Sequence, residues 1–79
     1  MIRYPQYHVL TWVDPLTGAE PFIRDRGHYY SLDVARQHYS HIRTSDRILE
    51  VILRKDDGTE CEDLLQKDCT GEILNRLDG

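Results

Sequence analysis

The sequence predicts a small α+β domain in which one helix packs on one face of an antiparallel sheet of three or four strands. Three observations support this class: a β-favouring run at residues 7–13, a helical period at residues 31–43, and an apolar run at residues 47–55 that leads into a turn. The 79 residues suffice for one domain, which we expect to span residues 1–79.

The first predicted strand, at residues 7–13, carries apolar groups on both faces. Alternation puts His8, Leu10 and Trp12 on one face and Val9 and Val13 on the other. We therefore expect this strand to lie in the middle of the sheet.

A turn and a short second strand follow. The residues at 14–18 read Asp-Pro-Leu-Thr-Gly, and Asp, Pro and Gly each suit one position of a turn. The second strand should run over residues 20–24 with Phe22 in the core, and Pro21 favours an edge position or a bulge. Residues 25–27 (Asp-Arg-Gly) predict a bend that ends this strand.

The helix is the clearest element in the sequence. Ser31 is a good N-cap, because its hydroxyl can accept a hydrogen bond from a backbone N–H of the first turn. Leu32, Ala35, Tyr39 and Ile42 share one helical face and are expected to pack on the sheet.

The third strand, at residues 47–55, should place Leu49, Val51 and Leu53 in the core. Ile48 and Ile52 then point to the opposite face. They form either a partly exposed patch of the kind that often binds partners, or a patch covered by a chain terminus.

The next turn reads Asp56-Asp57-Gly58, which fits a three-residue hairpin loop. This loop would pair Arg54 with Glu60 and Leu53 with Cys61.

The C-terminal part is predicted to form short helical pieces. Residues 63–66 (Asp-Leu-Leu-Gln) have the form of a capping box, and Thr70 could cap a further turn. A strand through Leu64 and Leu65 is the alternative. The complete predicted core is Leu10, Trp12, Phe22, Leu32, Ala35, Tyr39, Ile42, Leu49, Val51 and Leu53.

Charge is distributed unevenly along the chain, whose formal net charge is −4. Residues 1–55 hold eight bases and six acids (+2), whereas residues 56–79 hold two bases and eight acids (−6). If the two parts of the sequence also separate in space, the molecule carries two oppositely charged regions. The acidic part argues against general nucleic-acid binding by the whole domain.

Composition also bounds the cellular setting. The sequence contains no apolar run long enough to span a bilayer and no secretory leader pattern, so we expect a cytoplasmic protein without membrane contact. Two cysteines, Cys61 and Cys69, are too few for a disulfide framework and are expected to stay reduced unless the chain is exported.

No catalytic or cofactor motif is present: the sequence lacks a Gly-rich phosphate loop, H-E-x-x-H, G-x-S-x-G and C-x-x-C. We therefore expect neither enzymatic activity nor a cofactor. His38 and His41 could join Cys61 and Cys69 in a zinc site, but the spacing is unlike that of zinc fingers, so no metal is expected.

Candidate binding residues fall into two groups. The first combines arginine with tyrosine, two residue types common at protein interfaces and also able to hold phosphates and stack on bases. Its members are Arg24, Arg26, Tyr29, Tyr30, Arg36, Arg43 and Arg47. The second is an acidic patch suited to a basic groove, comprising Asp56, Asp57, Glu60 and Glu62.

These groups favour a non-catalytic module that binds a protein partner. Nucleic-acid binding through the Arg/Tyr group is the alternative, and an ordinary salt-bridged surface would explain the same residues. The sequence leaves the oligomeric state open.

The order of elements resembles that of small phage-encoded anti-CRISPR inhibitors. The resemblance covers about residues 7–62: strand, turn, strand, a Ser-capped helix that contains Ala35, an apolar strand and an Asp-Asp-Gly-x-Glu hairpin. It concerns element order and size only, and no residue role carries over. The resemblance implies a non-catalytic inhibitor that occludes a surface on a bacterial nucleoprotein complex.

Overall fold

The computed structural model describes residues 3–68 and 73–75, which form a five-stranded antiparallel sheet and one helix. The elements are β1 (Gln6–Val13), β2 (Phe22–Tyr29), α1 (Leu32–His41), β3 (Ile48–Asp56), β4 (Cys61–Asp68) and β5 (Ile73–Asn75). The strand order is β2-β1-β3-β4-β5, and all neighbours are antiparallel. The predicted α+β class is confirmed.

Strand β1 lies between β2 and β3, as its two apolar faces predict. The main core forms where α1 packs on the sheet. Ala35 and Tyr39 of the helix contact a cluster of buried strand residues. The strand members of this cluster are Val9, Val51, Leu53 and Leu65.

The helix begins as predicted. Ser31 is extended, and its Oγ accepts a hydrogen bond from the Val34 N–H at 3.4 Å. The helix ends at His41, two residues before the predicted end, because Ile42 adopts an extended conformation while its N–H still bonds the Tyr39 carbonyl. Leu32 and Ile42 are partly buried against the core.

The predicted limits of the second strand are wrong. Strand β2 continues through the expected bend, because the extra residue Arg26 is accommodated as a β-bulge opposite β1. Gly27, at φ +148°, provides the unusual backbone angle, and its N–H donates to Asp25 Oδ1 at 2.9 Å. The edge position indicated by Pro21 is confirmed for β2.

The predicted hairpin register between β3 and β4 is also wrong. Arg54 pairs with Asp63 and Leu53 with Leu65, and Leu64 is the extra residue of a second bulge. The loop is longer than predicted because the Asp57 N–H bonds the Glu60 carbonyl at 3.1 Å.

The capping-box prediction at residues 63–66 fails, and the alternative strand through Leu64 and Leu65 is correct: β4 runs over Cys61–Asp68. Residues 73–75 form β5 rather than helix. Cross-strand pairing with the apolar strand β3 buries both leucines, and the local cap signal does not compete with it. The predicted cap at Thr70 falls outside the described residues.

The predicted core needs three further corrections. Phe22 is 48% exposed, since β2 is the edge strand and the helix does not cover its first residue. Leu49 is the extra residue of a third bulge, so Ile48 moves to the helix side and packs on the core in its place. Leu10 is buried but lies on the opposite side of the sheet with half-buried Trp12, whereas Val9 joins the main core.

No helix in the described part of the chain is long and apolar enough to cross a membrane.

Candidate functional site

The two faces of the sheet differ in what covers them. The face that meets α1, here the helix face, carries Val9 and Thr11 of β1. The opposite face, here the open face, carries His8, Leu10 and Trp12. Among the described elements only α1 packs on the sheet, against β1, β2 and β3, so no described element covers the open face.

The two faces also carry opposite charge. Side chains in register on the open face include five acids and one base, a balance of −4. They are Asp25, Glu50, Asp56, Asp63, Asp68 and Arg54. The helix face carries four strand bases and one strand acid, a balance of +3. They are Arg24, Arg26, Lys55, Lys67 and Glu62.

This separation replaces the one expected from the two parts of the sequence. Neighbours such as Arg24 and Asp25, or Glu62 and Asp63, point to opposite faces because side chains alternate along a strand. Charge therefore separates across the thickness of the sheet and not between its ends.

One end of the open face holds a polar row across four strands: His28, His8, Arg54 and Asp63. His8 Nδ1 lies 3.2 Å from Asp25 Oδ2, and Arg54 Nε donates to Asp63 Oδ1 at 2.7 Å. The hydrogen bond to Asp63 raises the pKa of Arg54. These contacts hold the row together and neutralise part of its charge.

The middle of the open face is apolar. Leu10 pairs with Ile52, and both are buried together with Leu64 of the β4 bulge. Ile52 is only 4% exposed, so it is not part of an exposed patch.

The far end of the open face combines apolar and acidic side chains in one row: Ile23, Trp12, Glu50 and Asp68. Ile23 is 45% exposed. Burial, then the nearby charges of Asp68 and Asp63, raises the pKa of Glu50, which places this carboxylate in a negative environment.

On the helix face, the bulge positions Arg26 over β1. Its Nε donates to Thr11 Oγ1 at 3.2 Å, and that hydroxyl donates to the Arg24 carbonyl at 3.4 Å, which satisfies the fully buried Thr11. Tyr29 stacks on His38 with ring centroids 4.7 Å apart, so one side of its ring is already occupied.

The rest of the Arg/Tyr group is dispersed. Arg36 is exposed on the helix, and Arg43 lies near enough to Lys67 of β4 to help lower the pKa of that lysine. Arg47 is exposed just before β3. Tyr30 lies away from the helix face: its ring meets His28 of the open face, and the Arg3 guanidinium lies 5.1 Å from the ring centroid.

The predicted acidic patch is divided. Asp57 Oδ1 accepts from the Thr59 N–H, the Glu60 N–H and the Thr59 hydroxyl, which lowers its pKa to about 2. Asp56 accepts from the Gly58 N–H on the open face, whereas Glu62 pairs with Lys55 on the helix face. Glu60 is exposed in the loop. Two of the four carboxylates thus stabilise the loop itself.

The histidine–cysteine set is not assembled in the described residues, where no three His, Cys, Asp or Glu side chains are placed to hold a metal ion. His38 contacts Tyr29, Cys61 is an exposed free thiol at the start of β4, and Cys69 lies outside the described residues.

The residues missed from the sequence are Glu50, Asp63 and Asp68, together with Ile23 and Trp12. Alternation within the predicted strands assigns Ile23, Trp12 and Glu50 to a face, but Asp63 and Asp68 share that face only because Leu64 is the extra residue of a bulge. Grouping charge by runs along the chain hides this pattern.

Comparisons with protein-family models, with curated proteins and with solved structures find no match, so the site rests on its own geometry.

Proposed function

We propose that this protein is a non-catalytic module whose open face binds a basic surface of a protein partner. The observation that carries the proposal is the separation of charge across the sheet, −4 on the open face against +3 on the strands of the helix face. Complementary potentials at an interface speed encounter and exclude wrong partners.

The composition of the open face supports a protein partner in particular. Beside its carboxylates lie the half-buried Trp12 and the exposed Ile23, and aromatic groups are enriched where proteins meet. A nucleic acid would be repelled by this face, because both carry negative charge.

More specifically, we propose that the protein is a small inhibitor of the phage type that occludes a basic surface on a bacterial nucleoprotein complex. A surface that holds nucleic acid is basic, and the open face offers it an acidic competitor. The element order noted in the sequence is the second support for this form.

Two charge reversals on neighbouring strands test the proposal. Glu50→Lys changes the open face and Glu62→Lys changes the helix face, and each shifts the net charge from −4 to −2. Each tagged protein is used to capture partners from bacterial lysate at about 0.15 M salt, where charges remain effective over about 8 Å. We expect wild type and E62K to capture a stoichiometric protein partner, and E50K to capture at least tenfold less of it. The reason is that placing like charges opposite one another costs several kcal/mol.

Thermal unfolding of both variants serves as the folding control. The new lysine of E50K would lie opposite Asp68 on β4, where its charge is favourable, so the fold should be retained. Recovery of no stoichiometric partner, or equal recovery with E50K, would contradict the proposal.

A second candidate function, nucleic-acid binding, is favoured by the basic residues of the helix face. Arg24 and Arg26 are connected there through the Thr11 hydroxyl, and Lys67 and Arg43 add positive charge on the β4 side. This function predicts affinity for an oligonucleotide that falls steeply with salt, weakens in Arg24→Gln and strengthens in E62K more than in E50K. A flat anisotropy titration at low salt would reject it.

A further inference from the structure

We infer that Ile23, Trp12 and Glu50 form the docking row for a partner segment that presents an apolar side chain next to a lysine or arginine. The inference rests on the proposed function, because it assumes that the open face binds protein, and it adds the chemical pattern of the bound segment.

The sheet places these three residues side by side. Trp12 pairs with Ile23 of β2 on one side and with Glu50 of β3 on the other. Neighbouring strands lie about 4.8 Å apart, so the midpoint of Ile23 and Trp12 lies about 7 Å from Glu50 along the row. The row thus changes from apolar to acidic within one side-chain spacing.

Charge selects a cation for the acidic end. Glu50 pairs with Asp68 across the β3–β4 ladder, and the negative charges of Asp68 and Asp63 disfavour its ionised form. Arg54 at the other end of the open face is already paired with Asp63, and no side-chain hydrogen bond connects Glu50 to another residue within 3–68. An incoming ammonium or guanidinium group would relieve the repulsion at Glu50.

The same charge argues against other occupants. Two copies meeting through their open faces would oppose −4 with −4, and a nucleic acid would bring further negative charge. A basic protein segment is the occupant that matches both ends of the row.

Spacing gives the pattern of that segment. Residues i and i+2 of an extended chain lie on one side and about 6.6 Å apart, close to the distance between the two ends of the row. An apolar-x-basic sequence would therefore place its apolar side chain over Ile23 and Trp12 and its cation at Glu50.

The single tryptophan of the chain provides the measurement, because Trp12 emission reports directly on the row. The probes are three acetylated and amidated heptapeptides: Ser-Ser-Leu-Ser-Lys-Ser-Ser, the same peptide with Glu in place of Lys, and the same peptide with Ser in place of Leu. We expect a saturable emission change with the Leu/Lys peptide, and at least tenfold weaker binding of the other two. The affinity of E50K for the Leu/Lys peptide should be at least tenfold lower than that of wild type, whereas E62K should bind this peptide like wild type.

A further variant and several contradicting results complete the test. Ile23→Ser removes an exposed side chain, so it should preserve the fold. It should also weaken binding of the Leu/Lys peptide at least tenfold. The inference is overturned if the Leu/Lys peptide leaves Trp12 emission unchanged or if the Glu peptide binds equally well. It is also overturned if the emission responds to protein concentration alone, which indicates a second copy, or to a single-stranded oligonucleotide.

The failure of this inference is distinguishable from failure of the proposed function. If E50K loses the captured partner while Ile23→Ser keeps it and the peptides do not bind, the open face is the interface but the row does not set its sequence preference. If neither variant affects capture, the proposed function itself fails.

Discussion

Tyr39 is the residue whose environment departs most from its chemistry. Its ring is 6% exposed in the main core, and its hydroxyl has no hydrogen-bond partner among the described residues. A buried hydroxyl without a partner costs about 1–3 kcal/mol. We therefore expect Tyr39→Phe to raise the free energy of unfolding by about 1 kcal/mol, measured by urea denaturation at pH 7. Lower stability of the variant would show that the hydroxyl has a partner.

The same residue predicts sensitivity to alkaline pH. Burial raises the pKa of Tyr39 from 10.0 to about 12, so the folded state keeps the proton more tightly than the unfolded state. The resulting stabilisation is complete below pH 10 and disappears as pH rises through 12. Lys67 acts in the opposite direction below pH 10.5, because burial and Arg43 lower its pKa and stability rises as it loses its proton. Urea denaturation between pH 9 and 11.5 should show that the free energy of unfolding of wild type falls, and that it falls less in Tyr39→Phe. Identical pH profiles would show that Tyr39 is not the cause of the alkaline loss of stability.

Asp57 is expected to make stability depend on pH in the acid range. Hydrogen bonds from the backbone of Glu60 and Thr59 and from the Thr59 hydroxyl lower its pKa from 3.8 to about 2. The ionised carboxylate therefore stabilises the fold above about pH 4, and this contribution is lost as pH falls through 2. Asp57→Ala should be less stable than wild type at pH 7, and the difference should shrink between pH 4 and 2. Glu60→Ala, in the same loop, is the matched control and should show neither effect.

At the scale of elements, the helix is fixed to the sheet at its C-terminal end by Lys67. The Lys67 ammonium donates to the Tyr39 carbonyl at 3.0 Å and lies 4.5 Å from the Tyr39 ring centroid. Cations stabilise helix C-termini, where carbonyl groups lack helical partners. Burial and the Arg43 charge, which lower the pKa of Lys67, oppose the favourable effect of its charge, so we base the prediction on the hydrogen bond alone. We expect Lys67→Met, which removes this hydrogen bond, to lower the free energy of unfolding by about 1 kcal/mol.

Lys55→Met is the matched control for this substitution, since Lys55 lies on the same face of the neighbouring strand and pairs with Glu62 rather than with the helix. Denaturation of both variants measures the difference. Equal losses would show that the effect comes from net charge and not from the helix terminus.

The elements themselves were predictable to different degrees. The helix and its cap were predicted, because Ser31 and the apolar period act within one or two turns. The limits of β1 and β3 were predicted to within one residue, but the limits of β2 and β4 and the strand registers were not, because they depend on the extra residues Arg26, Leu49 and Leu64. A bulge is decided by pairing between distant strands, so a local pattern of alternation does not reveal it.

At the scale of the whole molecule, sequence reasoning assigned opposite charges to the two parts of the chain, whereas the described strands separate charge between the two faces of the sheet. It grouped Asp56, Asp57, Glu60 and Glu62 because they are adjacent in the chain, yet the structure divides them between a loop and two faces. The positions that define the open face, such as Asp25 and Glu50, come from different strands. Only the strand order brings them together.

The opposed charges of the described strand residues on the two faces contribute a dipole moment directed through the sheet. Charged groups at the ends of side chains on opposite faces of a sheet are on the order of 10 Å apart, which is comparable to the Debye length of about 8 Å at physiological salt. An approaching macromolecule therefore senses mainly the nearer side, and the net charge of −4 describes the attraction poorly at short range. In the field of a charged target, the protein experiences a torque that turns one side towards it before any contact is made.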